Sequence, residues 1–193
     1  MDSATLLSLL VGTGLAAACG FRVFVPLLVM SVAARAGHLQ LGAGFGWIGS
    51  TPALIAFAAA TVLEIAGYFI PYVDHVLDVL AAPAAVVAGT LATASSVIGM
   101  SPFLKWSLAI IAGGGVAALV HAATGATRAA STAATAGLAN PVVAAAEAGG
   151  STLLSILAIG APIVAFAVLS LLCYAGWRLV RIARRTPRAR IRG

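Results

Sequence analysis

PALIAFAAATVLEIAGYFI, residues 52–70, runs for 19 residues with a single charge, Glu64. At about 1.5 Å rise per residue it makes about 28 Å of helix, close to the ~30 Å hydrocarbon layer of a bilayer. The run is continuously apolar, whereas a barrel strand would alternate apolar and polar residues, so it reads as a membrane helix. Ser50 or Thr51 is placed to cap it, Pro52 suits its first turn, and Pro71 ends it.

The rest of the chain is of the same kind. Only 8% of its 193 residues are charged and 62% are hydrophobic, with mean hydropathy +1.09. Soluble domains carry about 25% charged residues, so this chain has too little charge to cover a water-facing surface. The expected fold is all-α: a polytopic transmembrane helix bundle of about five spans, with broken or re-entrant helices and a short amphipathic helix. Residues 1–177 form one transmembrane domain and residues 178–193 a basic tail.

Before residue 52, the first span covers Ala4 to Arg35, interrupted by Gly20, Arg22 and Pro26. Pro26 removes a helix hydrogen bond, which predicts a broken or kinked helix. Asp2 stands where a signal peptide would be basic, so this segment is expected to be a membrane helix and not a cleaved leader. AGHLQLGAGFGWIGS, residues 36–50, is a Gly-rich loop whose Trp47 suits a membrane interface.

After residue 70, PYVDHVLDVLAAP (71–83) places Val73, Val76, Leu77 and Leu80 at helical spacing, with Asp74 and Asp78 on the opposite face. This predicts a short interfacial helix closed by Pro83. Spans follow at Ala84–Met100, from Phe103 to Thr124 and from Thr152 to Trp177. The stretch 125–150 is almost entirely Ala, Thr, Gly and Ser, with Arg128, Asn140, Pro141 and Glu147. It is too polar for an easy span and too apolar for an exposed loop, and a re-entrant or broken helix fits it best.

Seven of the eleven basic residues lie in the tail: Arg178, Arg181, Arg184, Arg185, Arg188, Arg190 and Arg192. Basic residues at membrane ends stay in the cytoplasm, which predicts a multi-pass cell-membrane protein with its C-terminus inside. Five spans would also put Arg35 and Lys105 inside, and residues 71–83 and 125–150 outside. The tail is suited to anionic lipid head groups. Nucleic acid is not an expected partner, because aromatics are not interleaved with the basic residues. Many Gly and Ala residues leave a homo-oligomer possible.

Charges inside spans cost about 2.5–3.5 kcal/mol each, so each needs a partner or water. Arg22, Glu64, Arg128 and Glu147 are such charges, and His121 is a titratable group among them. Glu64 suits a cation, a proton, a substrate ammonium, or a structural pair with Arg22. Arg22 suits a phosphate or carboxylate, or a structural ion pair. Asp74 and Asp78, four apart, are weak candidates for sharing a divalent cation; a solvated helix face is the plainer reading. His121 and Arg128 share a helix face, as proton relay or as packing. LAAACGFR (15–22) loosely resembles LVHAATGATR (119–128), as an internal inverted repeat would. Cys19 and Cys173 read as buried small residues, with no CxxC or metal spacing. No cofactor is expected, and Walker A, G-x-S-x-G and HExxH motifs are absent from the sequence.

GLAAACGFRVFVPLLVMSVAAR (14–35), LEIAGYFIPYVDHVLDVLAAPAAVVAGTL (63–91) and HAATGATRAASTAATAGLANPVVAAAE (121–147) together resemble a family of small multi-helix membrane proteins, domain of unknown function four-one-two-six. Phe24-Val25-Pro26-Leu27, Glu64, Ile70-Pro71-Tyr72-Val73-Asp74, Asp78, His121 and Glu147 fall on the family pattern. Gly67-Tyr68-Phe69 and Ala82-Pro83 depart from it, standing where the family has Asp-Lys and Arg-Pro. The resemblance implies a polar site but no activity. From the residues, the expected function is a transporter, channel or lipid-handling protein with a polar site in the outer half of the bundle. That site would draw on Arg22, Glu64, Asp74, Asp78, His121, Arg128 and Glu147. The alternatives are an intramembrane enzyme acting on a lipid head group and a structural or assembly protein.

Overall fold

A computed structural model describes residues 3–70 and 73–185. Every regular element among them is helical. Helix α1 covers Ser3–Phe21, α2 Phe24–Arg35, α3 Thr51–Gly67 and α4 Val73–Ser96. Then come α5 Pro102–Leu108, a π-helical turn Ala109–Gly114, α6 Gly115–Thr135, α7 Asn140–Gly160 and α8 Pro162–Arg185.

Local chemistry sets the starts. Ser50 Oγ accepts from the Ala53 N–H at 3.3 Å, with Pro52 in the first turn of α3. Ser101 caps α5 in the same way, beside Pro102. Side-chain acceptors satisfy N–H groups that no preceding turn can reach, and proline removes one of them.

Helices that follow one another in the chain alternate in direction. Ser8 Oγ accepts from the Ile98 N–H at 3.4 Å and Thr93 Oγ1 donates to the Gly12 carbonyl at 3.1 Å, so α1 descends beside an ascending α4. Arg35 donates to Thr51 Oγ1 at 3.0 Å at one end of the α2–α3 pair, and Glu64 meets Val23 and Phe24 at the other. Ser151 Oγ donates to the Ala18 carbonyl at 2.9 Å, while Ala158 lies against Gly14, so α7 ascends. Ala165 also lies near Gly14, and Cys173 and Trp177 share a cavity wall with Phe21, so α8 descends alongside α1. Small residues allow these approaches: Ala16, Ala17, Ala18 and Cys19 are fully buried.

Four helical stretches are long and apolar enough to cross a bilayer: Ser3–Phe21, Val76–Ser96, Pro102–Thr135 and Asn140–Gly160. Leu63, Val87, Ile111 and Val164 point outward from the bundle. Such a surface suits lipid and would aggregate in water.

The partition differs from the five expected spans in four places. Segment one is not a single tilted span: it breaks at Arg22 and α2 turns back. Pro26 lies in the first turn of α2, where a missing N–H costs nothing. Residues 73–83 are not a separate helix, because α4 runs through Pro83; residues 71 and 72 lie outside the described residues. Residues 125–150 do not form a separate re-entrant unit: they are the end of α6, a turn, and the start of α7. Pro162 starts a new helix instead of kinking one, after Ala161 leaves the helical region at φ −147°.

The turn between α6 and α7 puts Ala136 at φ 52° and Gly137 at φ 85°. Left-handed backbone crowds a Cβ at a cost of about 1–2 kcal/mol. Ala136→Gly is therefore expected to raise the unfolding free energy by about 1 kcal/mol, read by thermal denaturation in detergent.

The ends of the bundle separate the basic residues. Arg35 lies beside Thr51, and Lys105 sits 5.2 Å from the Phe45 ring. Gly42 N–H donates to the Ser95 carbonyl at 2.7 Å, fixing that loop at the end where α1 starts. Trp177 and Arg181, in contact with each other, lie at the opposite end. Arg35 and Lys105 thus do not share a side with the tail, contrary to the five-span count. Arg188, Arg190 and Arg192 lie outside the described residues.

Candidate functional site

Where α1 breaks, Arg22 ends up 1% exposed. The break leaves the Val23 and Phe24 N–H groups without acceptors in a preceding turn, and Glu64 of α3 supplies them. Its Oε1 accepts from Val23 at 2.7 Å and its Oε2 from Phe24 at 3.0 Å. A carboxylate at a helix N-terminus also meets the positive end of the helix dipole. Glu64→Gln puts an NH2 against one of these amides, with an expected loss of about 1–3 kcal/mol in unfolding free energy.

Arg22 instead turns toward α7. Its Nη2 donates to the Ala144 carbonyl at 2.9 Å and lies 3.3 Å from Glu147 Oε2. The expected Glu64–Arg22 pair is therefore replaced: Glu64 takes backbone amides and Arg22 takes Glu147. Arg22 Nε and Nη1 are buried without a hydrogen-bond partner among the described residues.

Arg128 of α6 completes the cluster. Its Nε donates to Glu147 Oε1 at 3.1 Å and its Nη2 bonds Glu147 Oε2, a bidentate fork. Its Nη1 bonds Asp78 Oδ1 on α4. Both guanidiniums lie over the Tyr68 ring, Arg22 Cζ at 3.9 Å and Arg128 Cζ at 4.0 Å from its centroid. Each cation meets the negative face of the ring.

The structure thus brings together Arg22, Glu64, Asp78, Arg128 and Glu147, two cations with three anions. Asp78 is engaged by Arg128, and the described residues hold no group of three or more His, Cys, Asp or Glu placed to bind a metal. The Asp74 side chain lies outside the described residues. The His121 imidazole makes no hydrogen bond or ion pair among the described residues; only its carbonyl is used, by Thr124. α1 and α6 both run antiparallel to α4, so the two Gly-to-Arg stretches that resemble each other lie on parallel helices, not inverted ones. Cys19 is buried as expected, whereas Cys173 is exposed on the bundle surface.

Sequence reasoning missed Tyr68 as the hub. Its position one turn after Glu64 was the available signal; that two arginines from distant helices would flank it was not. Besides a cavity of about 330 Å³ walled in part by Glu147, two larger cavities adjoin the cluster. One, of about 460 Å³, is bounded by Val23, Phe24, Glu64, Tyr68, Leu77 and Leu80 among others. The other, also about 460 Å³, is bounded by Asp78, Arg128, Thr132 and Asn140 with small residues of α6. The cluster lies at the end of the bundle toward which α8 carries the arginine tail, because Thr127 shares a cavity wall with Trp177.

Apolar helices of spanning length, a lipid-suited exterior and charges sealed inside define a polytopic helical integral membrane protein. Residues 9–182 match the family model described as Domain of unknown function (DUF4126), and the chain belongs to that family. No curated protein and no solved structure matches it.

Proposed function

We propose that the protein is a transporter, channel or lipid-handling protein whose ligand meets the chain at the Arg22–Tyr68–Arg128 cluster. The observation that carries this reading is Arg22: a guanidinium 1% exposed with two nitrogens, Nε and Nη1, unpartnered among the described residues, in a cluster flanked by cavities. A purely structural charge network would close into complete pairs with no space beside it, since each unpaired buried donor costs stability. Intramembrane charges that persist at such cost are characteristically functional.

Orientation follows from the tail. With the arginines of α8 held in the cytoplasm, the cluster falls in the cytoplasmic half, not the outer half expected from five spans. Arg35, His38 and Lys105 then face outside. Cysteine introduced at exposed His38, with Cys19 and Cys173 replaced by Ala, is expected to react with an impermeant maleimide on intact cells. Protection of that cysteine until the cells are lysed would reverse the orientation.

The reading is tested by ligand-dependent stabilisation of the purified protein, since a ligand that binds only the folded state raises its melting temperature. A panel of carboxylates, phosphates, amines and lipids is expected to contain one class that raises it. Arg128→Lys, which keeps the charge and loses the fork, is expected to abolish that rise. If no class stabilises the protein, the reading fails.

A further inference from the structure

The two larger cavities beside the cluster differ in chemistry but share a wall. Consecutive residues of α4 line them, Leu77 the first and Asp78 the second. Tyr68 lines the first, and Arg128, stacked on its ring at 4.0 Å, lines the second. The first opens past Leu63, 72% exposed, and Leu80, 60% exposed, on the face that meets acyl chains. Apart from Glu64 and Tyr68, its lining is aliphatic or Phe24. The second holds a guanidinium, a carboxylate, the Thr132 hydroxyl and the Asn140 amide.

From this juxtaposition we infer that the site takes an amphiphile with one acyl chain and one anionic head, carboxylate or phosphate. The chain lies in the Leu77 cavity and the head meets Arg128 in the Asp78 cavity. Each cavity is within the roughly 300–1,000 Å³ usual for small-molecule sites. The inference rests on the reading above, and deepens it by naming the ligand class.

The sign of the head group comes from the unequal partners of Arg128. Glu147 holds its Nε and Nη2 with a side chain 6% exposed. Asp78 holds only Nη1, with a side chain 35% exposed. Asp78 is therefore the exchangeable partner. An incoming anion takes Nη1, and Asn140 Nδ2, which donates to Thr132 Oγ1 at 3.0 Å across the cavity wall, is within the same pocket to donate to it. A cationic head in this cavity would be repelled by the Arg128 guanidinium that lines it, and a neutral head gains nothing by replacing Asp78. Arginine binds both carboxylate and phosphate through its planar N–H fork.

The test uses the full chain in phosphatidylcholine nanodiscs, titrated with palmitate, hexadecyl phosphate and, as the uncharged control, hexadecanol. Both anions are expected to bind at least about tenfold tighter than hexadecanol, about 1.4 kcal/mol, and the stronger of the two identifies the head. Asp78→Asn is expected to tighten anion binding severalfold, because it removes the competing carboxylate. Ala84→Trp, which fills the apolar cavity, is expected to weaken it at least about tenfold; circular dichroism confirms that each variant is folded. Equal binding of hexadecanol, weaker binding by Asp78→Asn, or no effect of Ala84→Trp would each overturn the inference. If the anions fail while another class stabilises the protein in an Arg128-dependent way, the amphiphile is wrong and the site stands. If nothing binds, both fall.

Discussion

Glu147→Gln is expected to lower the unfolding free energy by about 3–5 kcal/mol, the range for removing one partner of a buried ion pair. Glutamine keeps the size and shape of the side chain, so the loss reports charge and not packing. Glu147 is 5% exposed, Arg22 1% and Arg128 8%. Its carboxylate is the acidic partner of Arg22 and takes two of the three bonds of Arg128. Neutralising it leaves two guanidiniums over one Tyr68 ring, with Asp78 as the remaining directly bonded carboxylate. Reversible unfolding in mixed micelles measures the change. The double variant Arg128→Gln/Glu147→Gln is expected to be less destabilised than the sum of the single variants, with a coupling of about 0.5–3 kcal/mol. A loss below about 1 kcal/mol for Glu147→Gln would mean that water reaches the cluster in the folded state.

The second large effect is expected far from any charge. Gly89→Val should destabilise by about 3 kcal/mol or more, at or beyond the upper end of ordinary overpacking. A Cβ at Gly89 would stand 2.6 Å from Ala117 Cβ and 2.8 Å from the Gly113 carbonyl. The opposing atoms are a backbone carbonyl and the Cβ atoms of Ala117 and Ala16, which cannot rotate away as a longer side chain can. α4 would have to separate from the π-helical turn and from α6, and Arg128 would part from Asp78 as it did so. Gly149→Ala is the matched control, since a Cβ there meets nothing within 4 Å. It is expected to be neutral or to stabilise by up to about 1 kcal/mol. Comparing the two separates close helix approach from the general cost of removing a glycine.

Both expectations depend on contacts between distant parts of the chain, and this marks how far the sequence could be read. Helical class, membrane solvent and the Ser50 start were legible, because they depend on composition and on neighbours within one turn. So was the list of intramembrane charges, because a charge in an apolar run stands out whatever it pairs with. The partners were not legible. Glu64 and Arg22 looked like a pair because they were opposite charges set inside the apolar runs of the first two segments. The break at Arg22 freed two amides that competed for Glu64 and won, and Arg22 went to Glu147, 125 positions along. Prolines misled for a related reason. Pro83 lies within α4, while Pro26 and Pro162 each sit in a first turn, and whether a proline bends, starts or interrupts a helix depends on how the chain before it is packed.

By itself, then, the sequence determined that this is an all-α membrane protein, where several of its helices begin, and which few charges must be protected from lipid. Those outcomes follow from transfer free energies and local capping, which act residue by residue. The tertiary structure decided the order of helices, the end of the bundle at which the cluster lies, and the stacking of Arg22 and Arg128 on Tyr68. These depend on how closely small residues let backbones approach, and that is a property of pairs of helices that no single segment contains.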